Sequence, residues 1–326
     1  MYPMKFEPTL KSTIWGGEKI VKYKSINTTQ TSVGESWELS GVKGSESIVS
    51  NGEYSGMSIT DLLTEYGAKL IGKKNYLHFG NEFPLLIKFI DAKDDLSIQV
   101  HPDDELAAKR HNSKGKTEMW YVVDADADAR LRSGFAKEVT ADEYVASVEN
   151  NTVTEILKEY KVNKGDLFFL PAGRIHSIGT GCFIAEIQQT SDITYRIYDF
   201  NRRDVAGNAR ELHTEQAKGA IDYTLLDDYR THYDEQAHDK RVELVECPYF
   251  TTALYNLNGV RRIDISSLDS FVVYICVEGE ATINCDNNII TIQHGETVLI
   301  PACSNFIEIT PNNKCKILST HIDNNF

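Results

Sequence analysis

Gly165-Asp166-Leu167-Phe168-Phe169-Leu170-Pro171-Ala172 returns later in the chain as Gly295-Glu296-Thr297-Val298-Leu299-Ile300-Pro301-Ala302. The two stretches agree in type at every position: a glycine and an acid that make a turn, four strand-formers, then Pro-Ala. Upstream, Tyr121-Val122-Val123 resembles Tyr274-Ile275-Cys276, so each copy reads strand, turn, strand, turn, strand. A β-hairpin unit used twice is what a pair of jelly rolls requires. The remaining chain agrees. Runs such as Leu85-Leu86-Ile87-Lys88-Phe89-Ile90 and Phe271-Val272-Val273-Tyr274-Ile275-Cys276-Val277 are rich in β-formers and bounded by turn residues. Helix signals are few. Ser58 caps a helical pattern that stops at Gly67, and residues 103–110 and 140–149 are two further short candidates. The expectation is a mainly β protein, a double jelly roll with small helical insertions. The polar stretch 234–240 divides it into modules at 1–235 and 236–326.

The 326 residues carry 34 basic and 48 acidic side chains, a net charge of −14. That balance argues against a nucleic-acid partner, which needs clustered Lys and Arg. It also means that any anionic substrate must find a locally positive site inside a repelling envelope. No apolar run approaches the roughly 20 residues that span a bilayer. The first residues, Met1 to Pro8, lack a signal-peptide pattern. Cysteines 182, 247, 276, 285, 303 and 315 form no C-x-x-C and read as reduced thiols rather than a zinc finger. A cytoplasmic protein without membrane contact is expected, its oligomeric state left open.

The chemistry concentrates in the first copy. On a strand, residues two apart share a face, so Gln99 and His101 in Ser97-Ile98-Gln99-Val100-His101-Pro102 project together, opposite Ile98 and Val100. Lys116 and Glu118 share a face for the same reason. His176 follows the Pro171-Ala172-Gly173 turn. Gln99, His101, Glu118 and His176 make an N/O donor set for a divalent ion, in the open arrangement of a catalytic zinc. Manganese, cobalt or iron would accept the same donors. The second copy is an internal control. Counted from the shared glycine, His176 corresponds to Phe306; counted from the shared tyrosine, Glu118 corresponds to Phe271. Ligand positions turn apolar where the scaffold persists, which places the metal in the first module only. Arg196, among β-formers in Thr194-Tyr195-Arg196-Ile197-Tyr198, is read either as an oxyanion or phosphate partner or as a surface arginine paired with Asp192 or Asp199.

Ile14-Trp15-Gly16-Gly17, Gly34-Glu35-Ser36-Trp37-Glu38, Gln99-Val100-His101-Pro102, Gly115-Lys116-Thr117-Glu118, Pro171-Ala172-Gly173-Arg174-Ile175-His176 and Thr194-Tyr195-Arg196 occur in that order. Together they resemble the type I mannose-6-phosphate isomerases in their short bacterial form, members of the cupin superfamily. The resemblance implies one zinc per chain, held by Gln99, His101, Glu118 and His176. It implies Arg196 as catalytic arginine and a substrate pocket lined by Trp15, Glu35, Ser97 and Lys116. The implied reaction is reversible aldose–ketose isomerisation of a small sugar phosphate, mannose 6-phosphate to fructose 6-phosphate, through a cis-enediol. Lys116 stands first as the base, with Glu35, Asp103 and metal-bound hydroxide as alternatives. Lys88, Lys93, Arg174, Arg202 and Arg203 are candidates to bind the phosphate. A non-catalytic, sugar-binding or regulatory cupin that keeps a metal is the competing reading. Retention of Lys116 and Arg196 counts against it.

Overall fold

The computed structural model describes residues 1–203 and 207–323, and its strands form three antiparallel sheets of seven, five and eight strands. The seven-stranded sheet runs Arg230–Thr231, Leu167–Leu170, Glu118–Ala125, Cys182–Gln189, Leu85–Asp91, Val33–Ser40, Thr9–Gly17. Facing it is the five-stranded sheet Tyr195–Tyr198, Ile98–Val100, His176–Ile178, Arg130–Phe135, Leu157–Lys161. The third sheet is built on the long strands Val272–Cys285 and Phe306–His321 of the second module.

Alternation along the strands explains how the sheets stack. Leu85, Ile87 and Phe89 point with Met119, Tyr121, Val123, Ala185 and Ile187 into one core, which also holds Val273, Ile275, Leu299 and Leu318 of the second module. The intervening residues Ile90, Trp120, Val122 and Ile184 form a separate core inside the first module. The central sheet is therefore apolar on both faces, which is why its strands read as near-continuous hydrophobic runs. The strand Met4–Lys5 pairs with Thr297–Ile300, so the start of the chain completes the second module's sheet, a contribution that a division at 235/236 does not anticipate. Lys24 joins the same seam, its buried ammonium 2.7 Å from Glu38 and bonded to the carbonyl of Gly295.

The repeated octapeptide makes the same turn twice. Gly165 N–H donates to Val122 O (2.8 Å) and Val122 N–H to Asp166 O (2.9 Å). In the second copy Gly295 N–H donates to Cys276 O (2.9 Å) and Cys276 N–H to Glu296 O (3.0 Å). Both glycines have positive φ, 96° and 83°, where a side chain would be strained. These bonds equate Val122 with Cys276, one residue away from the match on tyrosines. Glu118 pairs with Leu170 and Val272 with Ile300, so the counterpart of Glu118 is Val272, and the assignment to Phe271 is corrected. A slip of one residue reverses the face: Val272 lies in the second module's interior, Phe271 in the core between modules. Phe306, the counterpart of His176, is 58% exposed.

The helical insertions form as read. Ile59–Tyr66 and Ala141–Glu149 begin with capping boxes at Ser58 and Thr140, and Asp104–His111 is capped by Asp103. None of the helices described is long and apolar enough to cross a membrane.

Candidate active site

His176 begins a strand that pairs with Gln99 on one side and Ser133 on the other. Gln99 in turn pairs with Arg196. His176, Gln99 and Arg196 thus form one row across the five-stranded sheet, while Glu118 faces them from the seven-stranded sheet. Pro102 follows His101 and ends that strand's pairing.

His176 Nε2 lies 3.3 Å from Glu118 Oε1, and His101 Nε2 lies 3.6 Å from Glu118 Oε2. Gln99 Nε2 is 3.3 Å from His176 Nε2. All three of His101, Glu118 and His176 are buried. Each imidazole is anchored by its other nitrogen, His101 Nδ1 to Ile193 O at 2.9 Å and His176 Nδ1 to Arg174 O at 2.8 Å. Those carbonyls require the Nδ1–H tautomer and turn an unprotonated Nε2 inward, the usual way a protein orients metal-binding histidine. Burial reinforces it. His176 is pushed down to about 3, and His101 falls well below its ordinary range through burial and then the Lys116 charge.

His101 Nε2 and both carboxylate oxygens of Glu118 are buried without a hydrogen-bond partner. Lys116 Nζ approaches Glu118 Oε2 to 3.2 Å, an ion-pair distance without hydrogen-bond geometry. Three inward acceptors left unsatisfied cost stability unless something positive completes them. Burial pushes the Glu118 carboxyl up to about 7, with Lys116 pulling the other way. A divalent cation fits this donor set, and His101, Glu118 and His176 are the only such cluster among the described residues.

Beside these residues opens a cavity of about 660 Å³. Trp15, Glu35, Ser97, Gln99, Lys116 and Arg196 all line it, joined by Trp37, Lys88, Glu186, Asp192, Thr194 and Arg210. Lys88 Nζ sits 3.1 Å from Glu186 and 3.7 Å from Glu35. Burial disfavours its charge, but the Glu186 and Glu35 carboxylates outweigh that and raise it. Glu186 also accepts Trp120 Nε1–H at 2.8 Å; burial raises its carboxyl, yet Lys88 and Lys116 bring it below the usual range. Arg196 is half-buried. Its Nη1 donates to Glu211 O at 3.0 Å, and its Nε is buried with no acceptor. Burial, then the neighbouring Arg210 charge, lowers it. The surface pairing with Asp192 or Asp199 is therefore not the one it makes.

Asp103 does not serve as a candidate base. Its carboxylate accepts Leu106 N–H at 2.8 Å as a helix cap, and it does not line the cavity. Among the cations named for phosphate, Lys88 alone lines the cavity. Arg174 lies over the Tyr229 ring at 4.4 Å, Arg202 is bound to Asp199 and the Asp95 carbonyl, and Arg203 donates to Gly207 O. Glu186, Arg210 and His213, whose Nδ1 accepts Arg196 N–H at 3.0 Å, were missed. Glu186 was legible in principle, as a charge among the apolar residues Phe183 to Ile187. Arg210 and His213 lie outside any strand and carry no such signal.

Two family models match the chain, the type I phosphomannose isomerase catalytic domain over residues 4–118 and the mannose-6-phosphate isomerase cupin domain over residues 240–322. Mannose-6-phosphate isomerase ManA of Bacillus subtilis is 35% identical over 92% of this chain and 93% of its own. Mannose-6-phosphate isomerase of Streptococcus mutans is 30% identical over 92% of each. The crystal structure of mannose 6-phosphate isomerase from Bacillus subtilis superposes with a TM-score of 0.88 at 28% identity, covering 99% of this chain and 100% of that one. A mutant of Salmonella typhimurium phosphomannose isomerase shares the fold, with a TM-score of 0.81 at 15% identity.

Proposed function

Because the chain belongs to the type I mannose-6-phosphate isomerase family and interconverts mannose 6-phosphate with fructose 6-phosphate, we propose that this reaction runs in the cavity beside His176. In this reading one zinc ion is held by His101, Glu118 and His176, with Gln99 as the fourth protein ligand. The observation that carries it is the buried Glu118 carboxylate, both oxygens unpartnered, set between the inward Nε2 atoms of His101 and His176. Such an ion supplies Lewis-acid stabilisation of negative charge on substrate oxygens. The catalytic machinery falls within residues 1–235, and residues 236–326 serve as a structural module. Six unpaired thiols suit a reducing compartment, and we place the enzyme in the cytoplasm.

The remaining steps belong to side chains of this protein. Trp15, Ser97 and Glu35 bind and orient the opened sugar, and Glu35 is itself held by Trp37 Nε1–H at 2.5 Å. Lys116 acts as the base in its neutral amine form, taking the proton from C2 and returning it to C1 of the cis-enediol. Arg196, with a fixed positive charge and an unused N–H, stabilises the oxyanion that develops between those transfers.

The test is turnover of mannose 6-phosphate before chelation, after it, and after zinc is restored. Loss on chelation and recovery with zinc are expected. Full turnover in protein shown to be metal-free would sink the zinc assignment, and absence of turnover in the metal-loaded protein would sink the isomerase reading itself.

A further inference from the structure

An isomerase of a phosphorylated sugar must hold a group of roughly −1.5 to −2 charge within a protein of net charge −14. The ammonium groups at the metal end are already committed. Lys88 faces Glu186 and Glu35, and Lys116 faces Glu118. At the other end the balance reverses. Arg196 bonds a neutral carbonyl and keeps an unpartnered Nε. Arg210, which also lines the cavity, forms a two-bond fork on Asp199 through Nε (2.8 Å) and Nη2 (2.5 Å). Arg202 binds the same Asp199 oxygen as Arg210 Nη2. One carboxylate therefore serves two guanidinium groups and is shared between them. Of the other carboxylates nearby, Asp192 lines the cavity, while Glu211 is 81% exposed and lies 4.0 Å from His213.

Resting on the isomerase reading, we propose that Arg210, braced by Asp199, holds the 6-phosphate of the sugar. The spacing agrees. His176, Gln99 and Arg196 lie on three consecutive strands, so His176 and Arg196 are two strand spacings apart, roughly 10 Å. With C1 and C2 at the metal end, where the long Arg196 side chain reaches their oxygens, an extended six-carbon chain carries its phosphate toward Arg210. The fork on Asp199 fixes one edge of the Arg210 guanidinium, so little side-chain freedom is lost when its Nη1 side meets phosphate oxygens. Arg202, tied to Asp199 and to Asp95 O, acts as a second brace rather than a contact.

The test compares three constants in wild type, Arg210→Ala and Arg210→Lys: KM for mannose 6-phosphate, and the inhibition constants of inorganic phosphate and of mannitol, an uncharged polyol for the sugar end. For Arg210→Ala, KM and the phosphate constant are expected to rise about tenfold or more, with the loss falling mainly on KM, while the mannitol constant stays put. Arg210→Lys recovers part of the phosphate affinity. An unchanged phosphate constant, or a mannitol constant rising in parallel, would overturn the assignment, the latter because Arg210 would then be only a structural brace. Wild-type protein that fails to turn over mannose 6-phosphate would instead sink the isomerase reading on which the assignment rests.

Discussion

His101 donates its Nδ1–H to the carbonyl of Ile193 at 2.9 Å, which ties a proposed metal ligand directly to the segment carrying Asp192, Thr194 and Arg196. The same segment is pinned from below by Gln188, whose Nε2 donates to Ser191 O at 2.6 Å, and by Ser191 Oγ–H donating to Lys114 O at 2.9 Å. Metal end and arginine end are thus one mechanical unit.

Chelation is therefore expected to loosen that unit and not only to remove the ion. Hydrogen–deuterium exchange of the metal-free protein should be faster for amides of residues 193–196 than in the zinc-loaded protein, with the core strand Leu85–Asp91 unaffected. Equal protection of residues 193–196 in both states would show that His101 does not transmit the ion's presence.

Replacing Arg196 by alanine removes a cavity guanidinium whose buried Nε–H has no acceptor. Turnover should fall by roughly 10²–10³, the cost of a lost oxyanion donor elsewhere, with metal content unchanged. Activity within a few-fold of wild type would remove Arg196 from the chemistry.

Lys116 and Glu35 remain as candidate bases in the cavity now that Asp103 is accounted for as a helix cap. For Lys116→Met the pH–rate profile should lose one essential ionisation while zinc stoichiometry is retained. If both limbs of the profile persist at reduced height, Lys116 only binds and the proton passes through another group.

Cysteine reactivity gives a pH test that is independent of the site. Cys303 is the exposed thiol. Burial pushes Cys182 up to about 12 and Cys315 up to about 11. Their thiolates are scarce at pH 8 and become abundant only as pH rises toward those values. One thiol per chain should react rapidly with a disulfide reagent at pH 8, and Cys303→Ser should abolish that phase. Rapid reaction of several thiols in folded protein would contradict the burial of Cys182, Cys276, Cys285 and Cys315.

Much of the site was legible because its signals are local. Gln99 and His101 share a face by the period of a strand, and Lys116 and Glu118 do so likewise. The failures were nonlocal. Asp103 looked like a carboxylate near the site, but whether such a group catalyses or caps depends on the helix it precedes. Of the five cations named for phosphate only Lys88 lines the cavity, because where a long Arg or Lys side chain ends depends on partners that the fold supplies. Counting from the shared tyrosines equates Glu118 with Phe271, one residue off the register that the glycine turns set. Only hydrogen bonds from Val122 and Cys276 to their glycine turns decide that register.

By itself the sequence determined the class of fold, its duplication and the identity of the inward-facing donors, since hydrophobic period, turn glycines and strand alternation are properties of neighbouring residues. The tertiary structure decided the rest. It stacked the two modules through one doubly buried sheet, drew Met4–Lys5 into the second module, and set the carboxylate-facing Lys88 and Lys116 apart from Arg196 and Arg210 among the residues that line the cavity. Those outcomes rest on pairings such as Lys88 with Glu186 and Arg210 with Asp199. Electrostatic interactions at 3 Å depend on which atoms meet, and residues remote in sequence meet only once the chain has folded.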